Sequence, residues 1–200
     1  MRRAEFDIKD ENSIKEVLES CEYGTLSLIN GEKPYCVALN FVYFKGSIYF
    51  HGSSEGKKID TIKANSNGAF LVVNPYSIIP SHFFDTVAAC PATQFFASVL
   101  IEGTLNFIEN SDEKAKVLSA LMEKLQKDGG YEEISYNKPM YTKMIDKVTV
   151  IELKPENISC KIKVGQNLND EKRDKLFEKL GNRASRVDIK TIKEMRIYNN

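Results

Sequence analysis

The stretch His51-Gly52-Ser53-Ser54-Glu55-Gly56-Lys57-Lys58 gathers residue types that can do chemistry together. It lies where the alternating run Ser47–Gly52 gives way to the helical spacing of Ile59 and Ile62. The first turn of a helix has unpaired backbone N–H groups and a partial positive charge, so it attracts anions. Lys57 and Lys58 add two cations where a helix tolerates them least, unless something negative neutralises them. Gly52 and Gly56 let a ligand approach the backbone closely. Ser53 and Ser54 supply hydroxyls, and His51 supplies one or two further donors. A phosphate dianion satisfies that set. A plain connection does too, with Ser54 capping the helix, Glu55 complementing its dipole and the lysines solvated. Spacing alone does not choose between them, because neither GxxxxGK[ST] nor GxGxxG after a strand is present. Upstream, Asn40 is an amide in the otherwise apolar run Tyr35–Phe44. It either faces solvent on an edge strand or offers its donor and acceptor to a planar heteroaromatic ligand.

Other chemistries have little to work with. His51 and His82 are the two histidines, and Cys21, Cys36, Cys90 and Cys160 show no CxxC spacing. Neither a metal site nor a disulfide framework is expected. With 28 Lys/Arg against 28 Asp/Glu, the general electrostatic case for nucleic acid or an acidic membrane falls away. Residues 161–200 hold 11 of those cations and six of the acids, which makes a mildly basic tail. No apolar run approaches the roughly 20 residues of a membrane span, and Met1-Arg2-Arg3 is not followed by the apolar core of a signal peptide. The expectation is a reduced, cytoplasmic protein that binds neither nucleic acid nor membrane. Arg2 and Arg3 are candidates for an anionic ligand, although exposed terminal arginines are commoner.

The elements that must position these residues are legible from periodicity. A helix capped at Asn12 or Ser13 runs to about Cys21. Strands are expected at 23–29, 35–44, 47–52, 68–74, 94–108, 147–153 and 158–164, with Lys45-Gly46 turning a hairpin. A helix over 55–65 carries the lysines. Residues 75–93 read as a long connection, and Gly103 as a bulge or close backbone approach. The stripe Ala115, Leu118, Leu121, Met122, Leu125 marks a helix closed by Gly129-Gly130. Residues 169–196 read as helical. Hairpin-connected strands with singly inserted helices predict a mainly β (α+β) antiparallel barrel with peripheral helices rather than a doubly wound parallel sheet.

Met1-Arg2-Arg3, the run from Pro34 to Asp60 and Phe95–Leu105 resemble the pyridoxamine-phosphate-oxidase-like FMN-binding split-barrel proteins, most nearly the nitroimidazole-resistance branch. The resemblance covers about residues 1–163. It implies a six-stranded antiparallel split barrel at 1–164, a charged extension at 165–200, and a homodimer with FMN at the subunit interface. By position it gives His51, Gly52 and Ser53 to the phosphate and ribityl side, Lys57 and Lys58 to the phosphate, and Asn40 to the flavin ring. Ser98 of the partner subunit would reach the ring edge. Cys90 resembles a cysteine of that branch. The sequence departs at Phe96-Ala97, where members often carry Tyr-Arg, so the substrate side loses a hydroxyl and a guanidinium.

The implied function is an FMN-dependent oxidoreductase, nitroreductase-like or pyridoxamine-phosphate-oxidase-like. It would act on a small electron-poor substrate, with NAD(P)H or another reductase as donor. His51 is the candidate catalytic residue, with cofactor contact ranked ahead of acid–base work. The alternatives are an FMN-storing or FMN-sensing protein and, with less support, a haem-handling relative. The aromatics Tyr35, Phe41, Tyr43 and Phe50 are expected in the core more than on a flavin.

Overall fold

A computed structural model describes residues 3–199. Arg2, one of the candidate phosphate ligands, lies outside them. The residues group into two compact units, Ile14–Val72 with Val99–Ile158, and Met1–Ser13 with Val73–Ser98 and Ser159–Asn200.

The strands are β1 (Asp7–Ile8), β2 (Tyr23–Asn30), β3 (Lys33–Asn40), β4 (Val42–Phe44), β5 (Ser47–Gly52), β6 (Asn67–Ile79), β7 (Thr93–Ile108) and β8 (Thr149–Lys163). They form one sheet in the order β3-β2-β6-β7-β8-β5-β4, with β1 pairing on β8. The β2–β3, β2–β6, β4–β5, β5–β8 and β1–β8 pairs are antiparallel. The helices are α1 (Glu11–Ser20), α2 (Lys57–Ala64), α3 (Ser111–Leu125), α4 (Pro139–Lys147), α5 (Asp170–Arg183) and α6 (Arg186–Tyr198).

The sheet has eight strands rather than six, and the reasons are local. The expected strand 35–44 breaks at the fully buried Phe41, giving β3 and β4. The two-residue β1 adds an edge. The two strands expected at 147–164 are one, β8, which runs straight through Pro155. β6 likewise continues past Pro75 to Ile79, so the connection expected at 75–93 shrinks. Phe70, Val72, Asn74 and Tyr76 keep the two-residue burial period, and Pro75 falls on an exposed position. Helix α4 was not anticipated; Pro139 starts it at the one place where a missing N–H costs nothing. The close backbone approach expected at Gly103 is present, since a β-carbon there would collide with the Lys154 carbonyl oxygen.

In the unit holding β2–β5, alternation turns Leu26 and Leu28 inward. Phe41 meets Phe70 edge-on at 4.9 Å, and Phe50 lies parallel to Phe70 at 6.4 Å. Val117 and Leu121 of α3 close over Val42, Tyr49 and Val150. In the other unit, α5 and α6 bury Leu176, Leu180 and Met195. There Asp188, wholly buried, accepts hydrogen bonds from Ser77 Oγ (2.6 Å), Arg183 Nε (2.8 Å) and Ser185 Oγ (2.6 Å). These bonds hold the start of α6 against β6, and they keep the Asp188 carboxyl well below the usual carboxylate range, the Arg183 bonds contributing most. Among the described residues no helix is long and apolar enough to cross a membrane, and no cluster of three His, Cys, Asp or Glu could hold a metal.

Candidate functional site

β5 is held on both sides, by β4 and by β8, so its C-terminal end is fixed. Ser47 through Phe50 are buried, His51 is exposed opposite Val150, and Gly52 is half-buried opposite Thr149. The chain then turns to α2. Ser53 Oγ accepts the Glu55 N–H at 3.2 Å, which tightens the turn instead of capping the helix. Gly56 is the N-cap, with φ +105°, a backbone region that a side chain rarely adopts. Gly56 makes no side-chain cap to the first-turn N–H groups. The helix expected from Glu55 therefore starts two residues later, and Ser54 is not its cap. That shift makes Lys57 and Lys58 its first two residues, among N–H groups that no helical carbonyl reaches. Ile59 and Ile62 anchor α2 in the core, and Thr61 Oγ1 bonds the Lys57 carbonyl at 2.7 Å.

The two ammonium groups stand differently. Lys57 is exposed, its Nζ 4.5 Å from the centroid of the Tyr35 ring on β3. Lys58 folds back over β5, with Nζ 5.5 Å from the Phe50 ring centroid and 2.8 Å from where a β-carbon on Gly52 would be. Gly52 thus makes room for the ammonium. Burial lowers the pKa of Lys58. His51 is also lowered, by burial first and then by the Lys58 charge. Among the described residues neither lysine has a carboxylate within ion-pair distance. The structure therefore brings His51, Gly52, Lys57 and Lys58 together as a positive, donor-rich corner, with Ser53 at its turn.

Asn40 stands apart from that corner in its bonding. It is half-buried on β3, at the end of the sheet order, and its Nδ2 donates to the Glu22 carbonyl at 3.0 Å. One of its two N–H donors is thereby tied to the residue just before β2, which leaves the other N–H and the side-chain carbonyl for a ligand. Phe41 and Phe50 are core residues, as expected, and Tyr35 supports Lys57. Ser98 is half-buried on β7, next to the buried Ala97. Cys90 is an exposed free thiol.

One residue escaped the sequence reading. Lys124 of α3 reaches into the core, with Nζ 3.5 Å from the Phe41 ring centroid and donating to the Leu18 carbonyl at 3.0 Å. It lines a cleft of about 520 Å³ with Tyr43, Glu19 and Glu123. Burial pushes its pKa down to about 8, an effect moderated by Cys21, Glu19 and Glu22. Its position three residues after Leu121, on the apolar stripe, was the available signal.

Comparison with solved structures gives the fold. A candidate 5-nitroimidazole antibiotic resistance protein from Bacteroides thetaiotaomicron aligns with TM-score 0.62 and 21% identity over 78% of this chain and 86% of its own. The flavocytochrome Anf3 from Azotobacter vinelandii aligns at 0.66 and 20%, over 79% and 69%. An FAD and heme binding protein from Mycobacterium smegmatis aligns at 0.64 and 15%, over 78% and 72%. No curated protein matches the chain. The architecture is the β-rich split barrel with peripheral helices, as expected. The sequence profile of pyridoxamine 5'-phosphate oxidase matches residues 10–162, most of the chain, and the protein belongs to that family.

Proposed function

We propose that this protein is an FMN-binding flavoprotein of oxidoreductase type, a homodimer that reduces a small electron-poor substrate. One observation carries the proposal: Lys57 and Lys58 open a helix whose N-terminus no side chain caps, and no carboxylate pairs with them among the described residues. A phosphate fits that corner. It would neutralise both ammonium groups and accept from the first-turn N–H groups. His51 and Ser53 border the same corner and would donate to the phosphate or ribityl oxygens. The Asn40 carbonyl is free to accept from a ring N–H. Ser98 of the partner subunit would complete the ring edge in the dimer. The flavin-binding descriptions of two fold relatives, a flavocytochrome and an FAD and heme binding protein, support the same reading.

Bound there, FMN supplies two-electron transfer from a reduced nicotinamide nucleotide to the substrate. The chain's own part is to bind, to orient and to set charge. The lysines would fix the phosphate, and His51, its pKa lowered in the free protein by partial desolvation and by the Lys58 charge, would donate to a phosphate or ribityl oxygen and take up a proton more readily once the dianion offsets that charge.

The test is the absorption spectrum of the purified protein, with mass spectrometry of the released cofactor. The expected result is a flavin spectrum and the mass of FMN. FAD would correct the cofactor. A Soret band alone, or a colourless protein that takes up no added FMN, would sink the proposal. Oxidation of NAD(P)H in the presence of a nitroaromatic then separates an enzyme from an FMN-storing or FMN-sensing protein. Light scattering on the eluting protein tests the dimer.

A further inference from the structure

In the unit of Met1–Ser13, Val73–Ser98 and Ser159–Asn200, a cleft of about 640 Å³ is lined by residues 84–85 and 90–93, the end of β8 and the first turn of α5. Its charges are lopsided. Arg3, Lys163 and Lys172 line it against one acid, Asp85. Asp85, whose Oδ1 accepts the N–H groups of Val87 (2.8 Å) and Ala88 (3.0 Å), offsets one of those three charges and leaves the lining net positive. Strand alternation puts Lys161 on the same face of β8 as Lys163. Asp7, opposite Lys161 in the β1–β8 pairing, forms its ion pair with Lys9 at 3.1 Å.

Among the described residues, none of Arg3, Lys161, Lys163 and Lys172 has a carboxylate within ion-pair distance. The crowding is felt inside the cleft: the Lys163 pKa is lowered by burial first, then by the charges of Lys161 and Arg3. Lys163 does donate to Thr93 Oγ1, but a neutral hydroxyl cancels no charge. Half-buried Phe84 gives the same cleft an apolar, aromatic face, with the buried Phe95 behind it. Unpaired cations beside an aromatic face are the two halves of a recognition site for an organic anion, one holding the charge and the other the body.

The geometry points to this cleft as a binding site for a small organic anion, a phosphate monoester or a carboxylate carried on a flat apolar body. It is independent of the lysine pair on α2 and of the flavin reading. The exposed thiol of Cys90, in the cleft lining, reports on its occupancy.

The test uses the full chain carrying Lys57→Ala and Lys58→Ala, so that the other cationic corner cannot hold the probe. Its failure then says nothing about FMN. Phenyl phosphate, benzoate and the neutral benzyl alcohol are titrated calorimetrically, and alkylation of Cys90 by iodoacetamide is timed with and without each. The expected result is that one anion binds at least tenfold tighter than benzyl alcohol and slows Cys90 alkylation. Adding Arg3→Gln and Lys172→Gln, both at exposed positions, should cost at least tenfold in affinity. Tighter phenyl phosphate assigns a phosphate ligand, and tighter benzoate a carboxylate. The inference is overturned if neither anion outbinds benzyl alcohol, if the double change leaves affinity unaltered, or if Cys90 is unprotected.

Discussion

The Lys58 ammonium stands 2.8 Å from the point that a β-carbon on Gly52 would occupy. A strand glycine is therefore what lets the second lysine of α2 fold back over β5, beside His51. Gly52→Ala should push a flexible side-chain end aside at little cost in folding, while moving the charge. The expected outcome is a protein with nearly unchanged melting temperature and FMN affinity reduced roughly tenfold, the scale of one charge-assisted hydrogen bond. Unchanged affinity would mean that the Lys58 position is irrelevant to the ligand.

Lys57 and Lys58 lack carboxylate partners among the described residues, so their charge is available to a ligand. Each contact to a phosphate contributes about 1.5–3 kcal/mol. Lys57→Ala with Lys58→Ala should weaken FMN binding a hundredfold or more, as read by flavin fluorescence quenching. Riboflavin, which has no phosphate, should bind the variant and the parent equally. A parallel loss of riboflavin binding would assign the effect to the fold instead.

His51 has its pKa lowered by partial desolvation of its ring and by the Lys58 charge, so the free protein favours its neutral form. A bound dianion offsets the Lys58 charge and raises that pKa. The complex then binds more protons at His51 than the free protein does, and this contribution strengthens affinity as pH falls toward 7, above the range where the phosphate monoester itself takes up its second proton. FMN should bind more tightly at pH 7 than at pH 8, with net proton uptake, and His51→Gln should flatten the dependence. An affinity that rises with pH in the parent protein would contradict the placement of His51 beside the phosphate.

Asp188 is fully buried under donors from Ser77, Arg183 and Ser185. Its folded-state pKa lies far below the ordinary carboxylate value. Its contribution to stability is therefore complete above about pH 5 and is lost as pH falls through the ordinary carboxylate range and below. Asp188→Ala leaves those donors unmatched and should cost about 2–3 kcal/mol at pH 7, a figure reduced because Arg183 is partly exposed. Urea melts of the two proteins should differ by a constant amount above pH 5 and converge below pH 4. Convergence at neutral pH would show that the carboxylate does not hold α6.

Lys124, with its pKa pushed down to about 8, is half neutral at that pH, whereas an ordinary lysine is almost wholly charged. Pulse acetylation followed by peptide mass spectrometry should show Lys124 reactivity rising between pH 7 and 9 with a midpoint near 8. A midpoint near 10 would show that the ammonium is not desolvated.

Much of the sheet was legible because burial on one face imposes a two-residue period. Tyr23–Asn30, Ser47–Gly52 and Thr93–Ile108 fall within a residue or so of their expected bounds. Prolines misled where tertiary context overrode local preference. Pro75 and Pro155 read as breaks, yet both lie inside strands, Pro75 at an exposed position of β6 and Pro155 at a half-buried one of β8. The break at Phe41 had no local signal, and the buried ring there meets Phe70, about 30 residues away.

At the candidate site, the sequence by itself determined the ingredients: two lysines at a strand-to-helix joint, flanked by glycines, serines and a histidine. Only the tertiary structure decided their use. It capped the helix at Gly56 so that Lys57 opens it, bent Lys58 into the space left by Gly52, and tied one Asn40 N–H to the Glu22 carbonyl. It also sank Lys124 against Phe41 and joined Arg3 to Lys163 across most of the chain. Period and residue type are local quantities. Which charge finds a partner, and which is left for a ligand, depends on groups that meet only when the chain has folded.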